Sequence, residues 1–219
     1  MLKAFLAAYA RRRFASLFAS LLLTIGLLPV FRALVPGGNI LEALLAVNLV
    51  AAIASVGREQ RTHSTLIGVG VAYLGVRALQ AVLGVAALLP VSEGLWIGAC
   101  VVAMATTARY AFRPGSVDAE RIFAALDAYL LAGLTFGVGY WLIETSLPGS
   151  FRGSAPQLGL DDSIYFSFVT IATLGYGDIV PVSGPARALT ILEAVGGQMY
   201  LAVLVARLVS LHATRGPAD

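Results

Sequence analysis

Six consecutive residues, Thr173-Leu174-Gly175-Tyr176-Gly177-Asp178, carry the most distinctive chemistry in the chain. A cation that enters a narrow path sheds hydration, and oxygens must replace the lost water without holding the ion too tightly. Backbone carbonyls meet that demand if the chain can aim them inward. Gly175 and Gly177 supply the freedom, because glycine enters positive-φ conformations at little steric cost. Thr173 adds a hydroxyl at the inner mouth, while Tyr176 is expected to point away from the axis and pack behind the carbonyls. The candidate cation ligands are therefore the oxygens of Thr173, Leu174, Gly175 and Tyr176.

The elements that must hold such a segment are written in the composition. Of 219 residues, 58% are hydrophobic and 12% charged, against roughly a quarter charged in an ordinary soluble domain. The apolar residues come in blocks of about twenty, each long enough to cross a hydrocarbon core of about 30 Å as a helix. An all-α membrane protein is expected. TM1 reads from about Phe14 to Leu34, TM2 from Ile40 to Val56, TM3 from Thr65 to Leu89 and TM4 from Leu95 to Tyr110. The breaks are Pro36-Gly37-Gly38, Gly57-Arg58-Glu59-Gln60-Arg61 and Pro90-Val91-Ser92-Glu93-Gly94, all of them turn-forming composition. TM5 spans about Ile122 to Ile143 and TM6 about Ala186 to Leu208. Between these two, Ser163 to Ala172 is apolar but too short to cross; it reads as a re-entrant helix, tolerated only where protein or a water-filled cavity surrounds it. Asp161 and Asp162 precede it, placed to cap free N–H groups and to favour the positive end of the dipole.

Lys and Arg accumulate in short cytoplasmic loops. With the N-terminus inside, that side holds Lys3, Arg11, Arg12, Arg13, Arg58, Arg61, Arg109, Arg113, Arg121, Arg207 and Arg215, leaving Arg32, Arg77, Arg152 and Arg187 elsewhere. Both termini are expected to be cytoplasmic, with the short helix entering from outside. The net charge of +3 lies in loops rather than along one face, so it reads as topology and not as a nucleic-acid surface. The block after Arg11-Arg12-Arg13 is too long for a cleavable signal peptide and is expected to stay as TM1. The single cysteine, Cys100, sits in an apolar block and excludes an intrachain disulfide.

Thr-Leu-Gly-Tyr-Gly-Asp resembles the filter of the tetrameric potassium channels, with Leu174 where valine is usual. Arg187 and Gly197 stand at the spacing of a basic residue and a gating-hinge glycine in simple members of that family, so the resemblance covers about Ile122 to Leu208. It implies K⁺ as permeant ion, no other cofactor, and a four-fold homotetramer around one axis. It also implies a bond from a pore-helix aromatic to Asp178, and the matching position here is Tyr165. Carried onto TM6, the family's pore-lining pattern aims Gln198, Leu201, Val205 and Val209 at the axis.

Several of these residues have plainer readings. Gly196 and Gly197 serve either a hinge or close helix packing. Arg187 either pairs with Asp178 or snorkels to headgroups, and Asp178 is otherwise simply solvated. Glu193, an acid within TM6, is either functional or a structural hydrogen bond to the pore helix. Arg77, near the middle of TM3, falls within reach of Glu42 on TM2 and reads first as glue between helices, with a single sensing charge as the sharper alternative. TM4 carries Arg109 only at its cytoplasmic end, so steep voltage sensing, which needs about three or four charges per subunit, is not expected.

The expected organisation is a four-helix membrane domain over 1–113, a cytoplasmic linker over 114–121, a pore domain over 122–212 and a short tail over 213–219. No cytoplasmic ligand-binding domain is expected after TM6. A multi-pass protein of the plasma membrane, bacterial inner membrane in type, among lipids and without nucleic acid, follows. The function expected is passive, potassium-selective conduction. A weakly selective cation channel and a non-conducting scaffold or regulatory subunit with a pore fold are its rivals. An enzyme is not expected, since His63 and His212 lie away from any nucleophile, base and orienting acid.

Overall fold

The computed structural model describes residues 12–34, 40–55, 60–84, 88–114, 118–153 and 157–213. Among the described residues the order is α1 (Arg13–Leu34), α2 (Ile40–Ser55), α3 (Gln60–Leu83), α4 (Leu89–Ala111), α5 (Ala119–Ser146), β1 (Phe151–Arg152), α6 (Leu160–Ile171), β2 (Val180–Pro181) and α7 (Gly184–Ala213). The described residues are thus all-helical apart from one two-residue pairing, and the chain is a multi-pass membrane protein. Helices α4 and α5 and the Gly184–Ser210 part of α7 are long and apolar enough to cross a bilayer. The stretches Arg13–Leu27 and Ala43–Ser55 are apolar but shorter. At 16 residues, α2 reaches only about 24 Å at 1.5 Å per residue. Three helices therefore meet the spanning requirement among the described residues.

Several boundaries differ from the sequence expectation. Pro90 to Gly94 is not a break: α3 stops at Leu83, Gly84 turns left-handed at φ +65°, and Pro90 sits in the first turn of α4. A proline there loses nothing, because the first N–H groups of a helix have no partner within it. Asp118 caps α5 by accepting the Arg121 N–H at 2.9 Å, so α5 starts inside the expected linker, and it runs on to Ser146. Helix α6 starts at Leu160, with Gly159 as its cap residue. Asp161 and Asp162 therefore lie in its first turn and act on the dipole rather than as caps. The loops Pro36-Gly37-Gly38 and 56–59 lie outside the described residues.

The outer helices pack on the same chain's α5. Leu131, Leu134 and Val138 of α5 share one core with Ala99, Cys100 and Ala103 of α4 and with Leu17 and Leu21 of α1; Leu45, Leu66 and Tyr73 extend it into α2 and α3. The small α4 residues let two membrane helices approach closely, and dispersion then supplies the attraction that lipid cannot. Asn48 clasps α1, accepting from Ser20 at 2.6 Å and donating to Thr24 at 2.6 Å. Arg77 is paired with Glu93 of α4 at 3.5 Å, a partner that the sequence reading had placed in a loop. The side chain of Glu42 lies outside the described residues.

Helix α6 is held tightly against α5. A Cβ on Gly137 would stand 2.7 Å from the Ile164 backbone, which no side chain tolerates without displacing α6. Residues Tyr140, Phe151 and Phe166 then meet edge to face, with centroids 5.0 to 5.5 Å apart. This aromatic cluster fixes the outer half of α6.

Candidate functional site

At its C-terminus α6 hands over to residues 173–178 through its own last carbonyls. Thr173 donates its N–H to Thr170 O at 2.9 Å, and Leu174 and Gly175 both donate to Val169 O, at 2.9 and 3.4 Å. The chain therefore doubles back under the helix end. Thr173, Gly175 and Gly177 have φ of +58°, +56° and +77°, whereas Leu174 and Tyr176 between them stay at negative φ. Such an alternation of φ sign can rotate successive peptide planes so that their carbonyls face one side. Glycine takes such angles freely. Thr173 does not, and a left-handed β-branched residue costs about 1–2 kcal/mol, met here by the bonds to the α6 terminus. Sequence reasoning assigned the freedom to the glycines and missed Thr173. The Tyr176 ring is 66% exposed in the isolated chain, so its expected packing needs a neighbour.

The outer end is tied at several points. Tyr165 Oη donates to Asp178 Oδ2 at 2.8 Å, and the other carboxylate oxygen accepts the Ile179 N–H at 3.1 Å. Arg187 donates from Nε to the Pro181 carbonyl at 3.3 Å. Strands β1 and β2 pair antiparallel, Phe151 opposite Pro181 and Arg152 opposite Val180. The Ser150 carbonyl accepts from Val182 and Ser183, at 2.8 and 3.2 Å. Beneath this loop Glu144, fully buried, accepts the Gly149 and Phe151 N–H groups at 3.1 Å each. Sequence reasoning missed Glu144 because it ended TM5 at Ile143, three residues short of the helix end at Ser146; an acid at the edge of an apolar block was the available signal.

Behind α6, Glu193 of α7 is fully buried between Tyr140 of α5 and Ser167 of α6, in hydrogen-bond contact with both hydroxyls. Neither partner was singled out from sequence, since nothing in the spacing of a tyrosine and a serine marks them as neighbours of a distant acid. At the inner end, the Ile171 carbonyl accepts from Tyr129 Oη at 3.0 Å and from Gln198 Nε2 at 3.5 Å.

Helix α7 is continuous through Gly197, where an added Cβ would stand 2.5 Å from Ile171 Cγ1, whereas Gly196 meets nothing within 4 Å. In this conformation Gly197 therefore provides close packing. Val205 and Val209 are exposed at 57% and 63%, and Leu201 is half-buried. Leu204 turns inward against the cluster of Phe14, Ala111, Ala124 and Ala125.

Residues 128–213 match the family described as Ion channel. The chain is 37% identical over 89 residues to Two pore potassium channel c of Oryza sativa subsp. japonica, covering 40% of this chain and 18% of that one. It is 36% identical over 94 residues to the Inward rectifier potassium channel Kirbac3.1 of Paramagnetospirillum magnetotacticum, covering 41% and 28%. To Protein LctB of Bacillus caldotenax it is 31% identical over 96 residues, 41% of this chain and 71% of that one. The chain belongs to the potassium channel family. Its alignments span only about a fifth to a quarter of the plant and inward-rectifier channels, and the family match at 128–213 takes in most of α5 together with α6, residues 173–178 and α7. No solved structure matches the chain. Its relatives are ion channels rather than enzymes.

Proposed function

We propose that this chain is one subunit of a four-fold homotetrameric potassium channel in which residues 173–177 form one quarter of the selectivity filter. The observation that carries the reading is the alternation of positive and negative φ from Thr173 to Gly177, a backbone that can turn consecutive carbonyls toward one side. One chain supplies one such strand, and replacing the hydration of K⁺ takes a ring of them. The largely open apolar surface of α7, with Ile191, Val195, Met199 and Val203 along one face, supports neighbours and lipid around it.

In this reading residues 122–212 are the pore domain and 1–113 a four-helix domain that completes six spans, joined through 114–121. Both termini face the cytoplasm, and 213–219 form a tail in the same compartment. Potassium is the transported substrate, not a resident cofactor. Tyr165, Asp178, Arg187 and Glu193 support the filter, while Gln198, Leu201, Val205 and Val209 line the inner path from Gly197 downward. The apolar positions narrow that path and can block it by dewetting. Purified protein in liposomes with an outward K⁺ gradient tests the proposal: K⁺ efflux above that of empty liposomes is expected. Absence of efflux would leave a pore fold without conduction.

A further inference from the structure

Three helices converge on the carboxyl of Glu193, and the number of protons available there decides its state. Tyr140 Oη lies 2.5 Å from Glu193 Oε2, and Ser167 Oγ contacts Glu193 Oε1. The same Ser167 Oγ lies 2.6 Å from the carbonyl oxygen of Gly133 on α5. A serine hydroxyl owns one proton, and a carbonyl can only accept. If Ser167 gave its proton to Glu193, its oxygen would face the Gly133 oxygen at 2.6 Å with nothing between them, a separation that O···O pairs adopt only around a shared proton. The Ser167 proton therefore belongs to Gly133, and the contact with Oε1 requires a proton on the acid itself.

The surroundings agree with that count. Glu193 is fully buried. Among the described residues it forms no ion pair with Arg, Lys or His. The titratable groups facing it are Tyr140 and, at longer range, Tyr129, both on α5, and neither brings positive charge. An ionised carboxylate without a cation would carry an uncompensated desolvation cost.

We propose that Glu193 works as a neutral carboxylic acid, donating to Ser167 and accepting from Tyr140, and so positions α6 and the filter it carries against α5 and α7. The positioning role rests on the function proposed above; the protonation state does not. The chain is continuous across one network: Tyr140 Oη–H to Glu193 Oε2, Glu193 Oε1–H to Ser167 Oγ, Ser167 Oγ–H to Gly133 O. Glutamine reproduces this pattern with a carbonyl and an amide N–H₂, whereas alanine removes both halves.

Infrared difference spectra of purified wild type against Glu193→Gln are the test. A protonated-carboxyl stretch present in the wild type and missing from the variant is expected, and loss of a carboxylate band pair instead would overturn the proposal. Should the variant fold poorly, Ser167→Ala in the native background must shift the acid band, because it removes the acceptor; an unshifted band would contradict the network. In liposomes, Glu193→Ala is expected to lose K⁺ over Na⁺ selectivity by about ten-fold or more and Glu193→Gln to recover it to within about two-fold. A glutamine variant as defective as alanine would show that the charge is needed and sink the idea. If the wild type itself carries no K⁺, the conduction reading fails while the infrared band still decides the protonation.

Discussion

Tyr165 on α6 and Asp178 at the end of the proposed filter are joined by a hydrogen bond of 2.8 Å, and both are open to solvent in the isolated chain. Its net worth is accordingly modest, but it is the direct tie between the helix and the residue that follows Gly177. Tyr165→Phe is expected to fold, to conduct, and to show currents that decline faster during sustained opening. Tyr165→Trp, which keeps a donor, is expected to decline more slowly than the phenylalanine variant. Equal decline in both would remove this bond from the account of filter stability.

Adjacent glycines on α7 separate packing from general helix propensity. Gly197→Ala forces a methyl into Ile171 Cγ1 at 2.5 Å, whereas Gly196→Ala meets open space. Overpacking of this kind costs about 1–3 kcal/mol, and removing a helical glycine in open space gains about 0.5–1 kcal/mol. Thermal unfolding in detergent should therefore show Gly197→Ala lowered and Gly196→Ala unchanged or raised. The opposite order would mean that the close approach of α7 to α6 is not as described.

The rotation of α7 has a chemical readout. In a Cys100→Ala background, cysteines at Leu201, Val205 and Val209 are expected to react with a charged thiol reagent from the cytoplasmic side and to block current. A cysteine at Leu204, which packs against Phe14, Ala111, Ala124 and Ala125, should react at least about ten-fold more slowly. Reaction at Leu204 with silence at Val205 would require turning α7 and removing Gln198 from the ion path.

Charge on α4 bears on voltage. The helix carries one arginine, Arg109, in its last turn, against the three or four gating charges per subunit of about 2.3 kcal/mol per 100 mV each that steep dependence needs. Open probability measured across a range of potentials should vary with a slope of about one charge per subunit or less. A slope of several charges per subunit would show that sensing resides elsewhere.

The segment proposed as the filter stands out in the sequence because its requirement is local: two glycines at alternate positions answer a backbone constraint that no distant residue changes. Thr173 does not, since its left-handed φ is imposed by bonds to Val169 and Thr170 across the turn. The helix ends were misread where one residue type serves two uses, as Pro90 does in a loop or in a first helical turn. Glu93 was thereby assigned to a break, which hid it as the partner of Arg77. Glu193 could be flagged as an acid in an apolar helix, but its partners Tyr140 and Ser167 depend on how closely α6 approaches α5 across Gly137. That approach is a property of the fold.

The central claim, that residues 173–177 select K⁺, is tested most directly by the reversal potential with K⁺ on one side of the membrane and Na⁺ on the other. The account predicts reversal near the K⁺ equilibrium potential for the native channel. It predicts loss of that preference in Gly175→Ala, where a side chain at φ +56° costs about 1–2 kcal/mol in each subunit. Reversal near zero in the native channel, or unchanged K⁺ selectivity in Gly175→Ala, would contradict the assignment of these residues as the filter.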